Sequence, residues 1–276
     1  MKLATIRHRR TEGAAIIDPD AGLAWPLGRS MLDVIAGGER PERGADGVPL
    51  AEVTLLAPIP RPPRNIFCIG KNYRDHVAEM GGGDDVPPAP IVFSKLPESV
   101  IADGEAIRID AGVSEAVDYE GELGVVIGRP GRGISPGDAL DHVFGYTIIN
   151  DVTARDLQRR HQQWLIGKSQ DSFCPMGPWI VTVDALDPAA LTLSLWVNDE
   201  RRQHARTSDL IFDLPTIIST ISAGITLYPG DVIATGTPAG IAALRQPPAW
   251  IRPGTTMTAW VEGLGSLISP IVEEGP

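Results

Sequence analysis

The sequence predicts a mainly β protein with some α-helix, built as a mixed β-roll behind a small N-terminal α+β domain. Its 276 residues include 30 Gly and 25 Pro but only 5% aromatic residues, a composition typical of many short strands and turns. Strand-like segments dominate and do not alternate regularly with helices, which argues against a doubly wound fold. A stiff Pro-rich connector spans residues 58–63. We therefore expect domains at 1–60 and 61–276.

Charge and apolar patterning exclude several classes of protein. The formal net charge is −11, whereas nucleic-acid binding needs a basic face, so no nucleic-acid partner is expected. Apolar runs are too short for a membrane span, so no membrane partner is expected. The N-terminus lacks the apolar stretch of a signal peptide, and Cys68 and Cys174 lie far apart in the sequence. Reduced thiols and a cytoplasmic location are the expectation.

In the first sixty residues we predict a hairpin and one helix. Residues 14–17 and 23–26 are strand-like, and the Asp-Pro-Asp-Ala-Gly run between them has the chemistry of a turn. Ser30 can cap a helix that contains Leu32, Val34 and Ile35, and Gly37-Gly38 would end it. This hairpin and helix are the basis for the small α+β domain.

After the connector, short apolar runs bounded by turn residues predict strands, and periodic or polar segments predict helices. Asp213 and Pro215 suit the start of a helix. Apolar residues at 214, 217, 218 and 221 have the i, i+3, i+4, i+7 spacing of one helical face. Strands are predicted at 65–70, 91–93, 117–127, 144–150, 179–183, 191–197, 231–234 and 256–261, and helices at 72–80, 153–161 and 214–221.

The most unusual segment carries alternating carboxylates. In a strand with a period of two, Asp118, Glu120 and Glu122 share one face. Three carboxylates in a row repel each other unless a positive group lies among them, and Mg²⁺, Mn²⁺ and Ca²⁺ prefer carboxylate oxygen. The alternative is a solvated acidic face. The apolar run at 125–127 favours a strand that enters the core.

Asp151 follows a predicted strand and precedes a predicted helix. It could be the N-cap of that helix, a role that aspartate fills well. A carboxylate at the end of a strand could equally supply a third metal ligand. The residues themselves leave both alternatives open.

Three other segments could carry chemistry. His76 and Glu79 are spaced i, i+3 on a predicted helix, and a carboxylate beside an imidazole raises its basicity. Lys168 follows Gly167 and could meet an anion, and the Gly- and Thr-rich loop at 235–240 could cradle one. A surface His–Glu pair, a solvated lysine and an ordinary turn are the alternatives. The glycines at 81–83 and the loop to Pro90 suggest a lid that closes over substrate.

Together the motifs identify a family resemblance. They are Gly-Lys-Asn-Tyr-x-x-His at 70–76, Asp-Tyr-Glu-x-Glu-Leu at 118–123, Asn-Asp-Val-Thr-Ala-Arg-Asp at 150–156, Gly-Lys-Ser at 167–169, Pro-Met-Gly-Pro at 175–178, Leu-Tyr-Pro-Gly-Asp-Val-Ile at 227–233 and Thr-Gly-Thr-Pro at 235–238. In this wording and order, from about residue 65 to residue 268, the chain resembles the fumarylacetoacetate hydrolase family.

The resemblance implies a β-roll catalytic domain of the family's C-terminal type, a homodimer and one Mg²⁺ or Mn²⁺ per subunit. By position, the metal ligands would be Glu120, Glu122 and Asp151. His76 and Glu79 would activate water, and Lys168 would be the positively charged substrate contact. The residues expected to bind or surround the substrate are Tyr73, Arg74, Asp118, Gln170 and Thr237. Gln170 replaces an aromatic residue common in the family, so the shape of the pocket is expected to differ there.

A 2-oxo acid with a second carbonyl suits such a site, because its carboxylate and 2-oxo oxygens can share one metal that stabilises the enolate. We expect hydrolysis of a carbon–carbon bond in an acylpyruvate-like substrate, with water activated by His76 and Glu79. Decarboxylation of an oxaloacetate-like acid and isomerisation or tautomerisation of a 2-hydroxy-diene-dioate-like acid are the alternatives. A ligand-binding protein without turnover is less favoured, because a binder needs no water-activating pair.

Overall fold

The computed structural model describes residues 1–38, 40–82 and 86–275. Its strands are β1 Lys2–His8, β2 Thr11–Asp18, β3 Leu23–Pro26, β4 Val48–Pro49, β5 Thr54–Leu55, β6 Ile66–Gly70, β7 Ile91–Lys95, β8 Val100–Ile101, β9 Ile107–Ile109, β10 Val117–Asp118, β11 Gly121–Ile127, β12 Val143–Asn150, β13 Thr153–Ala154, β14 Cys174–Thr182, β15 Thr192–Val197, β16 Glu200–Arg206, β17 Val232–Ala234, β18 Thr256–Val261 and β19 Gly265–Glu273.

The helices are short. They are α1 Met31–Gly37, α2 Arg74–Val77, α3 Arg155–His161, α4 Leu165–Lys168 and α5 Leu214–Ser222. A π-helical turn at Ala78–Gly82 continues α2. Single 3-10 turns lie at Leu50–Glu52, Pro97–Ser99, Ala139–His142, Val183–Ala185, Pro188–Ala190, Thr207–Asp209 and Ala242–Leu244. Within the described ranges, no helix is long and apolar enough to cross a membrane.

The strands form two large sheets, which confirms the predicted mainly β fold with mixed sheets. The larger sheet has the order β4-β3-β2-β1-β14-β12-β11-β17-β6-β7, with β5 on β1 and β8 on β14. The smaller has the order β16-β15-β18-β19-β9, and β10 pairs with β13. Most pairs are antiparallel, whereas β17 pairs with β6, β14 with β8 and β19 with β9 in parallel.

The N-terminal part follows the prediction closely. Strands β2 and β3 form the expected antiparallel hairpin. Ser30 caps α1, accepting a hydrogen bond of 3.1 Å from the Asp33 amide, and the left-handed Gly38 ends the helix. The boundary near residue 60 stays a prediction. The two parts nevertheless share one sheet, because β1 pairs with β14 in the register Lys2↔Val181.

The acidic segment is not the single strand predicted over 117–127. It is divided into β10 and β11, and Tyr119 and Glu120 lie between them. At this break the backbone amides donate to side chains from other strands. Asn150 Oδ1 accepts from the Glu120 amide at 3.0 Å, and Gln203 Oε1 accepts from the Gly121 amide at 2.9 Å. Such long-range partners cannot be read from local periodicity. The helix expected at 153–161 is also shorter, since α3 begins at Arg155.

The segment predicted as a helix at 72–80 is the short α2 followed by the π-helical turn. Gly81 has φ +81° inside that turn, which ends the regular helix. The proposed lid depended on the glycines at 81–83 and the loop that follows. Residues 83–85 lie outside the described ranges, so the lid stays a prediction.

Strand β11 lies at the centre of the molecule, and every residue in it is buried. Leu123 and Val125 belong to a core that also contains Leu193 and Leu195 of the smaller sheet. Val126 belongs to a second core on the opposite side of the larger sheet. A carboxylate carried by this strand is therefore in the protein interior, where an ionised group needs a partner.

Candidate metal centre and active site

The three carboxylates predicted to bind metal come together at the end of two paired strands. Glu120 immediately precedes β11, Glu122 lies in it, and Asp151 directly follows β12. Antiparallel pairing places Gly121 opposite Asn150, and the Asp151 amide donates to the Glu120 carbonyl at 2.8 Å. One oxygen from each side chain lies within 4.8 Å of the others, and all three residues are buried.

Two buried lysines neutralise Asp151. The Lys168 ammonium lies 2.6 Å from Asp151 Oδ2 and 2.6 Å from Glu120 Oε2. Lys95 Nζ lies 2.7 Å from Asp151 Oδ1 and donates to the Val152 and Lys168 carbonyls. Its approach to Oδ1 makes no hydrogen bond, and no other residue in the described part of the chain donates to this buried oxygen. Asp151 is not the N-cap of the following helix, because α3 begins at Arg155 with Ala154 at the N-cap position.

A third buried cation, Arg155, links Asp118 to Glu120. Its Nε donates to Asp118 Oδ2 at 2.8 Å, and its terminal nitrogen donates to Glu120 Oε1 at 2.5 Å. Burial opposes the charge of Arg155, but Glu120 and Asp118 raise its pKa above the ordinary value. Asp118 also accepts from the amides of Ala242 and Ala243 at 2.7 and 3.1 Å. Asp118 therefore holds Arg155 in place from behind.

The two glutamates have pKa values shifted in opposite directions. Burial by itself would raise the pKa of Glu120, but Lys168 and Arg155 hold it at about 2. Burial, Asp151 and Glu120 together raise the pKa of Glu122 well above the ordinary value. Burial opposes the charge of Lys168 as well, yet Asp151 and Glu120 raise its pKa.

The Gly-rich loop does cradle an anion, but that anion is a carboxylate of the protein. The Gly236 amide donates to Glu122 Oε2 at 2.7 Å. Gly236 has φ +103°, and a Cβ there would lie 2.7 Å from that of Asn72. Only glycine suits this conformation and this approach. Thr237 of the same loop donates to the Gly121 carbonyl at 3.0 Å.

The residues present fit a hard divalent cation. The ligand set is carboxylate oxygen only, as Mg²⁺ and Mn²⁺ prefer. Four buried carboxylates, those of Asp118, Glu120, Glu122 and Asp151, face three buried cations, those of Lys95, Arg155 and Lys168. One negative charge is left over at the cluster. A divalent cation among Glu120, Glu122 and Asp151 would more than offset this charge and would lower the raised pKa of Glu122.

His76 and Glu79 lie close together but are not hydrogen-bonded. His76 Nδ1 is 3.8 Å from Glu79 Oε2, which is longer than a hydrogen bond. His76 is buried, and Nδ1 has no partner among the described residues. Glu79 Oε2 instead accepts from the Gly240 amide at 2.9 Å. His76 Nδ1 is therefore a buried nitrogen that no described residue engages.

A cavity of about 350 Å³ opens onto this cluster. Its apolar wall includes Phe93 and Trp164, whose rings meet edge to face at 5.0 Å. Its polar wall includes His76, Lys168 and Thr237, which were predicted from the sequence. The lining residues are Ile69, Gly70, Lys71, His76, Met80, Phe93, Glu120, Arg155, Gln158, Arg159, Gln162, Trp164, Lys168 and Thr237.

Four residues that we expected near the substrate do not line this cavity. Asp118 lies behind Arg155, whose Nε it binds. Tyr73 and Arg74 line a different cavity, beside His204 and Asp209. Gln170 lines a third cavity with Arg108, and it donates to the Ile166 carbonyl at 2.8 Å. Their roles in substrate binding stay predictions, without support from the shape of the cavity at the acidic cluster.

The sequence analysis missed several residues of the site. Lys95 lies outside every motif, and no local signal marks it. Arg155 was part of a quoted motif but received no role. The polar face of α3 was detectable, because Arg155, Gln158, Arg159 and Gln162 are spaced i, i+3, i+4 and i+7, and all four line the cavity. A polar stripe at helical spacing beside a proposed metal ligand is the signal that could have found them.

Comparison with known proteins defines the class of this fold and site. Residues 65–272 match the family described as fumarylacetoacetate (FAA) hydrolase C-terminal. The match covers most of the chain and contains every residue assigned above to the acidic cluster and its cavity. The chain belongs to the fumarylacetoacetate hydrolase family, as the sequence motifs predict.

Individual relatives carry more specific names. Oxaloacetate tautomerase YisK of Bacillus subtilis is 49% identical over 231 residues, which are 83% of this chain and 77% of the relative. A solved fumarylacetoacetate hydrolase from Exiguobacterium antarcticum superposes with a TM-score of 0.90 at 40% identity, covering 99% of this chain and 100% of that one. A 2-hydroxyhepta-2,4-diene-1,7-dioate isomerase from Mycobacterium marinum gives 0.84 at 37% identity, covering 100% of both.

Proposed function

We propose that this protein is a divalent-metal-dependent tautomerase that interconverts the enol and keto forms of an oxaloacetate-type 2-oxo acid. One observation carries the proposal: the buried cluster of Glu120, Glu122 and Asp151 opens into a cavity lined by His76, whose Nδ1 has no hydrogen-bond partner among the described residues. The names of the relatives in Bacillus subtilis and Mycobacterium marinum support a proton shift rather than bond cleavage. They favour the alternative of the sequence analysis over carbon–carbon hydrolysis.

Tautomerisation needs only that protons move. From enol to keto, the hydroxyl at C2 loses a proton, C3 gains one, and the double bond shifts from C2–C3 to C2–O. No water is consumed and no carbon–carbon bond breaks. A site for this reaction needs a group that exchanges protons with C3 and positive charge near the C2 oxygen.

The chain supplies residues of both kinds. His76 is the candidate for proton exchange at C3, because it lines the cavity and is buried. Lys168 places a buried ammonium between Glu120 and Asp151 at the edge of the same cavity. A metal bound to the three carboxylates would act as a Lewis acid toward the 2-oxo acid. Phe93 and Trp164 exclude water from one side.

Hydrolysis would require His76 to act together with Glu79. Activation of water by this pair needs Glu79 to orient the imidazole, and the separation of 3.8 Å provides no such hydrogen bond. Glu79 is occupied by the Gly240 amide instead. This geometry supports the proton shift better than attack by water.

The decisive experiment follows enol-oxaloacetate by its ultraviolet absorbance, with purified protein and Mg²⁺. We expect faster decay than in buffer, no acceleration in EDTA, and a loss of about 10²–10⁴-fold in kcat for His76→Asn, the usual contribution of a general acid–base group. His161→Asn is the matched control, because His161 is exposed on α3 and outside the cavity. Product analysis separates the alternatives: CO₂ with pyruvate would indicate a decarboxylase. Pyruvate with a carboxylic acid from an acylpyruvate, without tautomerisation, would indicate a hydrolase.

We further propose a homodimer with one Mg²⁺ or Mn²⁺ per subunit and a cytoplasmic location, as the family resemblance and the sequence suggest. Light scattering after size exclusion tests the dimer. Metal analysis of the purified protein after dialysis tests the stoichiometry. A monomeric mass, or a ratio far from one metal per chain, would contradict these proposals.

A further inference from the structure

The cavity at the acidic cluster is lined by more cationic side chains than are paired with the carboxylates of the cluster. Lys71, Arg155, Arg159 and Lys168 line it, whereas Glu120 is the one acidic residue among its described lining residues. Arg155 and Lys168 are already paired with Asp118, Glu120 and Asp151. Lys71 and Arg159 form no ion pair with any residue in the described ranges. Two cations therefore face the cavity without a counter-charge from the residues that the structure describes.

Lys71 is held at the cavity by a strained backbone. It directly follows β6 with φ +56°, a left-handed conformation that is uncommon for a residue other than glycine. Asn72 fixes this turn, because its side chain donates to the Thr235 and Phe212 carbonyls at 2.8 and 3.0 Å and accepts from the Phe212 amide at 2.8 Å. Strain that the surrounding structure maintains is common at ligand-binding positions.

Arg159 lies on the wall of the cavity formed by α3. It is four residues after Arg155, so it lies about one turn, or about 5.4 Å, further along the same helical face. The helix is fixed against α4, because a Cβ at Gly167 would lie only 2.6 Å from the Gln158 amide nitrogen. Arg159 therefore lines the cavity about one helical turn away from Arg155, which pairs with the acidic cluster.

We propose that Lys71 and Arg159 bind a second carboxylate of the substrate and thereby select 2-oxo diacids over 2-oxo acids with a neutral distal group. The inference rests on the proposed function, which places the 2-oxo acid end of the substrate at the acidic cluster. The far end of oxaloacetate is an anion, which arginine binds through charge-assisted hydrogen bonds. The far end of an acylpyruvate is a neutral ketone, which would leave both cations unpaired.

The test compares two unreactive ligands that differ by one carboxylate group. Malate and lactate share a 2-hydroxy acid end, and malate adds a second carboxylate. Binding to the Mg²⁺-loaded protein is measured by titration calorimetry for wild type, Lys71→Gln, Arg159→Gln and the double variant. Arg160→Gln is the matched control, since Arg160 is the exposed neighbour of Arg159 and does not line the cavity. Melting temperatures identify any variant that fails to fold.

Wild type is expected to prefer malate. Each single variant should weaken malate binding about tenfold, as loss of a hydrogen bond to a charged group does, and should leave lactate binding unchanged. The Arg160→Gln control should match wild type for both ligands. Equal weakening of malate and lactate, or a wild type without preference, would overturn the inference.

The failure of the proposed function would look different. Ligand binding needs no turnover, so the dependence of malate binding on Lys71 and Arg159 is measured independently of activity. If this dependence is found but enol-oxaloacetate decays no faster than in buffer, the proposed tautomerase activity fails and the diacid site stands. If the enol is converted but malate and lactate bind alike, the diacid site fails and the activity stands.

Discussion

The ammonium of Lys95 lies 2.7 Å from Oδ1 of Asp151, and both side chains are 0% exposed. The same ammonium donates to the carbonyl of Val152, which directly follows Asp151, and to the carbonyl of Lys168. Lys95 thus joins β7 to the segment after β12 and to the end of α4. It is a positioning residue for Asp151, and it does not line the cavity.

Replacing Lys95 should strongly destabilise the protein. Lys95→Met leaves Asp151 with one cation fewer and two carbonyls without their donor, so we expect a loss of about 3–5 kcal/mol in the free energy of unfolding, as for other broken buried pairs. Urea denaturation in Mg²⁺ measures it. The double variant Lys95→Met with Asp151→Asn removes both charges and should recover part of the loss. An unchanged urea midpoint for the single variant would contradict this role.

Lys168 should become less important for stability when metal is present. In metal-free protein its ammonium neutralises Glu120 and Asp151, so Lys168→Met should lower the melting temperature in EDTA. Mg²⁺ supplies positive charge to the same carboxylates, so it should raise the melting temperature of the variant more than that of wild type. Thermal denaturation with and without Mg²⁺ checks this. Equal shifts in both proteins would show that Lys168 and the metal do not share these carboxylates.

The raised pKa of Glu122 predicts a pH dependence in the metal-free protein. The folded state binds the Glu122 proton more tightly than the unfolded chain does, so stability falls as pH rises above the ordinary pKa of a glutamate toward the raised value. Glu122→Gln removes this titration, so its stability in EDTA should be higher at neutral pH and should change less from about pH 5 to 8. Chemical denaturation across this range measures both effects. Glu12→Gln, at an exposed carboxylate, should retain the wild-type slope.

Gly236 is expected to tolerate no side chain. Gly236→Ala imposes a Cβ at φ +103° that would lie 2.7 Å from the Cβ of Asn72, and it disturbs the amide that donates to Glu122. We expect destabilisation of about 1–3 kcal/mol, typical of a residue in a forbidden conformation, together with weaker Mg²⁺ binding by calorimetry. Gly224→Ala is the control, because a Cβ there has open space around it. If both variants bind Mg²⁺ with equal affinity, the loop at Gly236 does not contribute to metal binding.

The carboxylates of the candidate metal centre could be predicted because they lie in short local motifs. Glu120 and Glu122 were expected on one face and do lie together, and strand pairing brings Asp151 to them. The break in the strand at Tyr119 could not be predicted, because it depends on side chains of Asn150 and Gln203 that arrive from other strands. Position within a motif did not by itself place a residue at this cavity, since Arg74 lies inside the motif of His76 but lines a different cavity.

Lys95 shows why the remainder of the site was not predictable. A lysine in a strand is ordinarily solvated, and nothing in its neighbours indicates complete burial. Its position follows from the pairing of β7 with β6 and from the packing of α4 against β7. The polar face of α3 was visible in the sequence, but only the fold shows that this face lines a cavity rather than solvent.

The pairing of β1 with β14 also has a consequence for how the chain folds during synthesis. Lys2 and Leu3 are synthesised long before their partners Val181 and Ile180, which lie much further along the chain. Until then this half of β1 is an unpaired edge, which can pair with another nascent chain. Closing so long a loop is also a slow step. The N-terminal strands are thus the part of the molecule most dependent on the timing of translation.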